Sequence, residues 1–171
     1  MRKLEPIIAV MSDKTYNVTK YVLAALLIEV VVLTTANVFG RYVLNHSISW
    51  AEEFIRFSFV WATFLGAACG YKLRELIAVS VLVGRFPQGY RRRVGLAIEL
   101  VISFFLVLSA IYGVKLTHHA LHQIAPATQI PMAFAYACMP LACFIMMISN
   151  AHHILLYLRS DSTIPTWGEN W

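Results

Sequence analysis

Two acids and two arginines bracket a short connection between apolar runs. Asn37 and Arg41 close one run, and Trp50, Glu52, Glu53 and Arg56 open the next. On a helix Glu52 and Arg56 are spaced i, i+4, and Glu53 and Arg56 i, i+3, so either carboxylate reaches the guanidinium. Arg41 is the natural partner for the other across the hairpin. Such a set can fix the depth of the hairpin as an interfacial ion-pair cluster, or present one surplus carboxylate to a second chain. Acid–base catalysis would need a nucleophile or metal set beside the acids, and none accompanies them. Charge at the mouth of a bilayer-spanning helix is costly and is rarely left without a partner.

Two further acids, Glu29 and Glu99, fall inside apolar runs. An intramembrane acid is a functional candidate by default. A proton or sodium relay would need more such groups through the outer half, where few acids are found. The expectation for both is a hydrogen-bonded contact to a neighbouring helix, a lipid headgroup or a partner subunit. His118 and His122 have the i, i+4 spacing of helical metal ligands. Haem would instead need histidines from two helices at matching depth, and His152 and His153 have no histidine opposite them. The patterns GxGxxG, Walker, HExxH and SxxK do not occur. No catalytic residue, metal ligand or cofactor site is expected, and the chain is not expected to be an enzyme by itself.

These residues must be positioned by membrane-spanning helices. Of 171 residues, 59% are hydrophobic and 13% charged, and the mean hydropathy is +0.65. That is about half the charged content of a soluble domain. Four apolar runs, about 21–39, 54–71, 94–115 and 132–158, approach or exceed the ~20 residues that cross a ~30 Å hydrocarbon core. The fold class expected is therefore an all-α membrane protein forming one integral membrane domain over 1–171.

The net charge of +5 does not indicate nucleic acid, because the basic residues are sorted by loop. Eleven Lys and Arg lie on one side of a four-span arrangement and three on the other. The positive-inside rule then places both termini in the cytoplasm. The first run lacks a small-residue cleavage site and is expected to remain as an uncleaved span. Cys69, Cys138 and Cys143 all fall within spans and read as buried free thiols.

Local features add detail. A short apolar patch, Ile7 to Met11, is expected to lie on the inner surface. Ser49 with Glu52 fits a capping box. Ala62, Gly66 and Gly70 recur every four residues, a stripe that allows close helix approach. The segment 75–87 is apolar but too short to span. It is expected to form an interfacial amphipathic helix, with Arg74, Arg85, Arg91, Arg92 and Arg93 in the headgroups. Bound phospholipid is compatible with that arrangement. Pro131 suits the first turn of the last span and Pro140 should kink it.

Taken together, Asn37-Val38, Arg41-Tyr42, Trp50-x-Glu52-Glu53-x-x-Arg56, Trp61 and Phe64-Leu65-Gly66-Ala67-Ala68 resemble the small membrane subunit of TRAP transporters, the DctQ-like family. The likeness continues through Lys72, Arg74, Ile77-Ala78-Val79, Thr128-x-Ile130-Pro131-Met132, Tyr136 and Pro140, covering nearly the whole chain. Leu76 and Ser80 depart from it, standing where the family often has histidine and aspartate. The resemblance implies a tripartite, sodium-coupled importer in the bacterial inner membrane, taking up a carboxylate such as a C4-dicarboxylate or sialic acid. A periplasmic solute-binding protein would capture the solute, and a large permease subunit would carry solute and sodium ions. The small subunit would be a non-catalytic scaffold that binds the large one and helps dock the binding protein. Two readings from other classes stand beside it: a haem-bearing membrane anchor of an oxidoreductase, and a small standalone channel.

Overall fold

A computed structural model of the chain describes residues 5–44, 49–73 and 88–158. The helices are α1 (Glu5–Val43), α2 (Ser49–Lys72), α3 (Gln88–His119), the short α4 (Ala133–Tyr136) and α5 (Cys138–Leu158). Among the described residues, four helical stretches are long and apolar enough to cross a membrane: Val10–Val43, Ser49–Lys72, Arg93–His122 and Ala133–Leu155. The fold class expected from the apolar runs is therefore found, with the first three spans longer than the runs themselves.

The extra length has a local cause. Hydrophobic runs stop at polar residues, but helices do not. Thr15, Thr19, Thr35, Thr63 and Thr117 each return their hydroxyl to the carbonyl four residues earlier, at 2.7–2.8 Å. This satisfies the side chain without leaving the helix, as hydrocarbon surroundings require. The 39 residues of α1 reach about 58 Å at 1.5 Å each. The patch at Ile7 to Met11 forms the first turns of α1, continuous with the span.

The packing is asymmetric. α1 lies along α2, and α5 touches α1, α2 and α3. Among the described residues, the backbone of α3 approaches α4, α5 and the 3-10 turn Ala120–His122 that follows it. It reaches α2 through side chains: Val94, Leu96, Ile98 and Ile102 pack against the buried Tyr71. α3 lies close against α5 at Gly113. There a Cβ would stand 3.2 Å from Pro140 Cδ and 3.3 Å from Pro140 N. In the expected small-residue stripe, Ala62 is buried. A Cβ at Gly66 would make only ordinary contact with Leu23, and one at Gly70 would meet nothing.

Pro140 interrupts the last span as expected. It has no N–H to give Tyr136, the last residue of α4, and the helix restarts at Cys138. Pro131 sits outside that helix rather than in its first turn. It pairs with Ile124 in an isolated antiparallel bridge, and Met132 is the cap residue. The segment 75–87 with Arg74 and Arg85, and the tail after residue 158, lie outside the described residues, as do the side chains of Arg91 and Arg92. Arg93 is exposed on α3.

Candidate functional site

Polar side chains gather at two levels of the bundle. One is the hairpin end, where α1 meets α2 and the loop 123–132 folds over them. The other is the terminal end, where α1 begins and α5 finishes.

At the hairpin end Glu52 turns back to α1. Its Oε1 accepts from Arg41 and, at 3.4 Å, from the buried Asn37. Ser49 is the first helical residue of α2, and Glu52 is committed across the hairpin. Glu53 faces the other way. Its carboxylate accepts from the amides of Ala127 (3.1 Å) and Thr128 (2.7 Å) and from the Thr128 hydroxyl (2.8 Å). The loop that supplies these donors is held by Met132 N–H to Gln123 O at 2.8 Å and Ala125 N–H to Ile130 O at 3.0 Å. Gln129 takes a positive φ of 57° at its tip.

The expectation of a surplus carboxylate at this mouth is thus overturned. Both acids are engaged, and Arg56 is the exposed charge with no hydrogen bond or ion pair among the described residues. The physical reason is donor count. A pair with Arg56 on an exposed helix face is worth little, whereas three converging donors on one carboxylate are charge-assisted and fixed by the loop. Arg56, Arg41, Asn37, Glu52, Thr34 and Ile55 line a cavity of about 330 Å³ between α1 and α2. Trp50 is exposed beside them.

Midway along the hairpin, Ser58 of α2 donates to Glu29 of α1, at 2.9 and 3.1 Å to the two oxygens. One turn nearer the terminal end on α2, Trp61 donates its indole N–H to Phe134 O at 3.1 Å and tilts against the Phe134 ring. This ties α2 to α4.

The terminal end holds a buried network. Glu99 is completely buried. Its Oε2 accepts from the Tyr71 hydroxyl at 2.5 Å and from Asn150 Nδ2 at 3.0 Å. Asn150 also reaches the Tyr71 oxygen at 2.8 Å and the Glu99 carbonyl at 3.2 Å. His153 Nδ1 lies 3.4 Å from Glu99 Oε1. Three helices, α2, α3 and α5, meet in these four side chains. Beside them Lys72 donates to Ser12 (2.5 Å) and Asp13 (2.8 Å), fastening α2 to α1.

Sequence reasoning singled out Glu99 but not Tyr71 or Asn150. A signal was available: Asn150 and His153 are three apart on one helix face in the inner half of the last span, at the depth of Glu99. Thr128 belongs to a motif of the sequence, and the structure gives its use. The two halves of that motif, around Glu53 and around Thr128, are the two sides of one contact.

The histidines divide between the two ends. His118, His119 and His122 are exposed at the hairpin end. The change to a 3-10 turn at Ala120–His122 breaks the i, i+4 register that made His118 and His122 look like ligands. His152 and His153 stand at the opposite end. No group of three or more His, Cys, Asp or Glu among the described residues is arranged to hold a metal ion. The three cysteines are free thiols.

Fold and site together define a class: a multi-pass, four-span helical membrane protein whose polar residues link its own helices at separate levels. The family is given by comparison with known proteins. Residues 30–160 match the family model for the DctQ component of tripartite ATP-independent periplasmic transporters, and the chain belongs to that family. It is 33% identical over 95 residues to the C4-dicarboxylate TRAP transporter small permease protein DctQ of Vibrio cholerae, covering 55% of this chain and 41% of that one. It is 30% identical over 115 residues to the ectoine TRAP transporter small permease protein TeaB of Halomonas elongata, covering 66% and 59%. A third relative is the isethionate TRAP transporter permease protein DctMQ of Oleidesulfovibrio alaskensis, 25% identical over 146 residues that make up 22% of its length. The chain thus spans about two fifths and three fifths of the length of these two small-permease relatives.

Proposed function

We propose that the chain is the small, non-catalytic membrane subunit of a sodium-coupled TRAP transporter that imports a carboxylate solute. It would bind a large permease subunit and help dock the periplasmic solute-binding protein. Its place would be the bacterial inner membrane, with both termini cytoplasmic and the hairpin end facing the periplasm. The solute would be a C4-dicarboxylate, sialic acid or a related acid, selected by the other subunits. Sodium ions would be held by the large subunit.

One observation carries this reading beyond the family match. The intramembrane acids are used to join helices of this chain, at two separate levels. A scaffold needs such joints, and a conducting path needs connected polar groups instead. The DctMQ permease protein, in which a stretch similar to this chain makes up only 22% of the length, supports a large membrane partner. The exposed Arg56 and Trp50 at the hairpin end are the groups best placed to meet a partner there.

Co-expression with the large permease subunit tests the reading. The two chains should purify together, and solute uptake into liposomes should require both chains, the binding protein and a sodium gradient. Uptake by this chain alone would overturn it in favour of a standalone channel. A Soret band in the purified protein would favour the haem anchor.

A further inference from the structure

Spare hydrogen-bond donors converge on one cavity at the hairpin end. Thr15, Thr19, Thr35, Thr63 and Thr117 spend their hydroxyls on their own helices. Thr34 does not, and its hydroxyl makes no hydrogen bond among the described residues. It lines the cavity of about 330 Å³ between α1 and α2, together with Arg41 and Arg56. Arg41 gives one guanidinium nitrogen to Glu52. Arg56 has no hydrogen bond or ion pair among the described residues, so its N–H groups are unspent. Glu52 is the one acid of the lining, while Glu53 is turned to the loop. Two guanidinium groups against one carboxylate leave a positive charge to be met there.

The level of this cavity is the membrane–water boundary. Arg41 is in the last turn of α1. Arg56 lies about 10 Å down α2 from Ser49, within reach of the surface for a snorkelling side chain. Tyr42, in the lining, and Trp50 nearby are exposed, and both aromatic types collect at headgroup depth. Deeper, the same helix faces turn apolar. Leu27 and Val31 continue the face of Thr34 and Val38 on α1, and Phe59 lies one turn beyond Ile55 on α2. Leu27, Val31, Val38 and Phe59 are all exposed.

We propose that this cavity binds the phosphate of a membrane phospholipid, with Arg56, Arg41 and Thr34 as donors and the acyl chains along Val31 and Phe59. Guanidinium forks match phosphate oxygens in geometry and charge. A protein carboxylate would answer the charge alone. A phospholipid answers the charge and the apolar strip together, at the depth where phosphates already stand. The proposal needs only that the chain spans a membrane, and it does not rest on the subunit reading above.

The test uses the full chain, purified in detergent without other subunits and titrated in native mass spectrometry. The probes are dioleoyl phosphatidylglycerol, dioleoylglycerol and inorganic phosphate. Phosphatidylglycerol should bind at one saturable site, and the other two at least about tenfold more weakly, since each lacks half of the recognised molecule. Arg56→Ala should weaken that site by at least about tenfold, the loss of a charge-assisted bond, and Arg56→Lys by less. Thr34→Val keeps the shape, removes one donor and should weaken it about threefold. Unchanged phosphatidylglycerol binding in Arg56→Ala would overturn the proposal, as would equal binding of dioleoylglycerol or of inorganic phosphate. If Arg56→Ala does not fold, unchanged binding in Thr34→Val would overturn it. Loss of large-subunit capture by Arg56→Ala with lipid binding intact would assign the arginine to a protein carboxylate instead.

Discussion

The hairpin end and the terminal end hold similar residues in different surroundings. At the terminal end Glu99 is wholly buried, and its partners Tyr71, Asn150 and His153 are buried with it. At the hairpin end the Arg41–Glu52 pair keeps 54% and 39% of its side-chain surface exposed. Burial makes the first set indispensable to the fold, because its donors have no water to turn to if the acceptor is lost. Exposure makes the second weakly stabilising but available to a partner. A carboxylate near a helix end therefore has no fixed meaning in this protein. Its surroundings decide whether it joins helices or presents a surface.

The comparison is sharpest where it predicts the largest loss. Glu99→Ala strands buried donors on α2 and α5 and removes the hydrogen-bonded link between α3 and α2, whose backbones make no contact. The expected loss is on the order of 3 kcal/mol, seen as a lower unfolding midpoint in detergent. Glu99→Gln should lose less, and equal loss in both would show that the negative charge itself matters. Gly113→Ala drives a methyl into Pro140, a rigid neighbour, and should cost about 1–3 kcal/mol by the same measurement. Gly70→Ala, which meets nothing within the chain, is the control for it.

Effects on stability should shrink at the hairpin end while effects on assembly grow. Glu53→Ala releases the amides of Ala127 and Thr128, so hydrogen exchange at those two positions should quicken. Capture of the large subunit and solute uptake should fall with it. Arg56→Ala should change stability by less than about 0.5 kcal/mol yet reduce capture or uptake. Full uptake with a normal complex in both variants would break the assignment of this end to partner contact. Arg41→Ala, losing one exposed pair, should cost under about 1 kcal/mol.

The sequence by itself determined the number of spans, the break at Pro140 and the apolar character of each helix. These follow from local chemistry: hydrocarbon demands helices with satisfied backbones, and proline cannot donate to the preceding turn. It also marked Glu29, Glu52, Glu53 and Glu99 as acids that need partners. Only the tertiary structure decided which partners they have. Glu53 could meet Arg56 three residues away or Thr128 in a distant loop, and helical spacing favours the near one. The loop wins because it brings several donors to one carboxylate. Glu99 likewise could have faced lipid, a partner or its own bundle, and the placement of α5 between α2 and α3 turned it inward. Partner choice depends on which helices pack together, and that is set by contacts far apart in the chain.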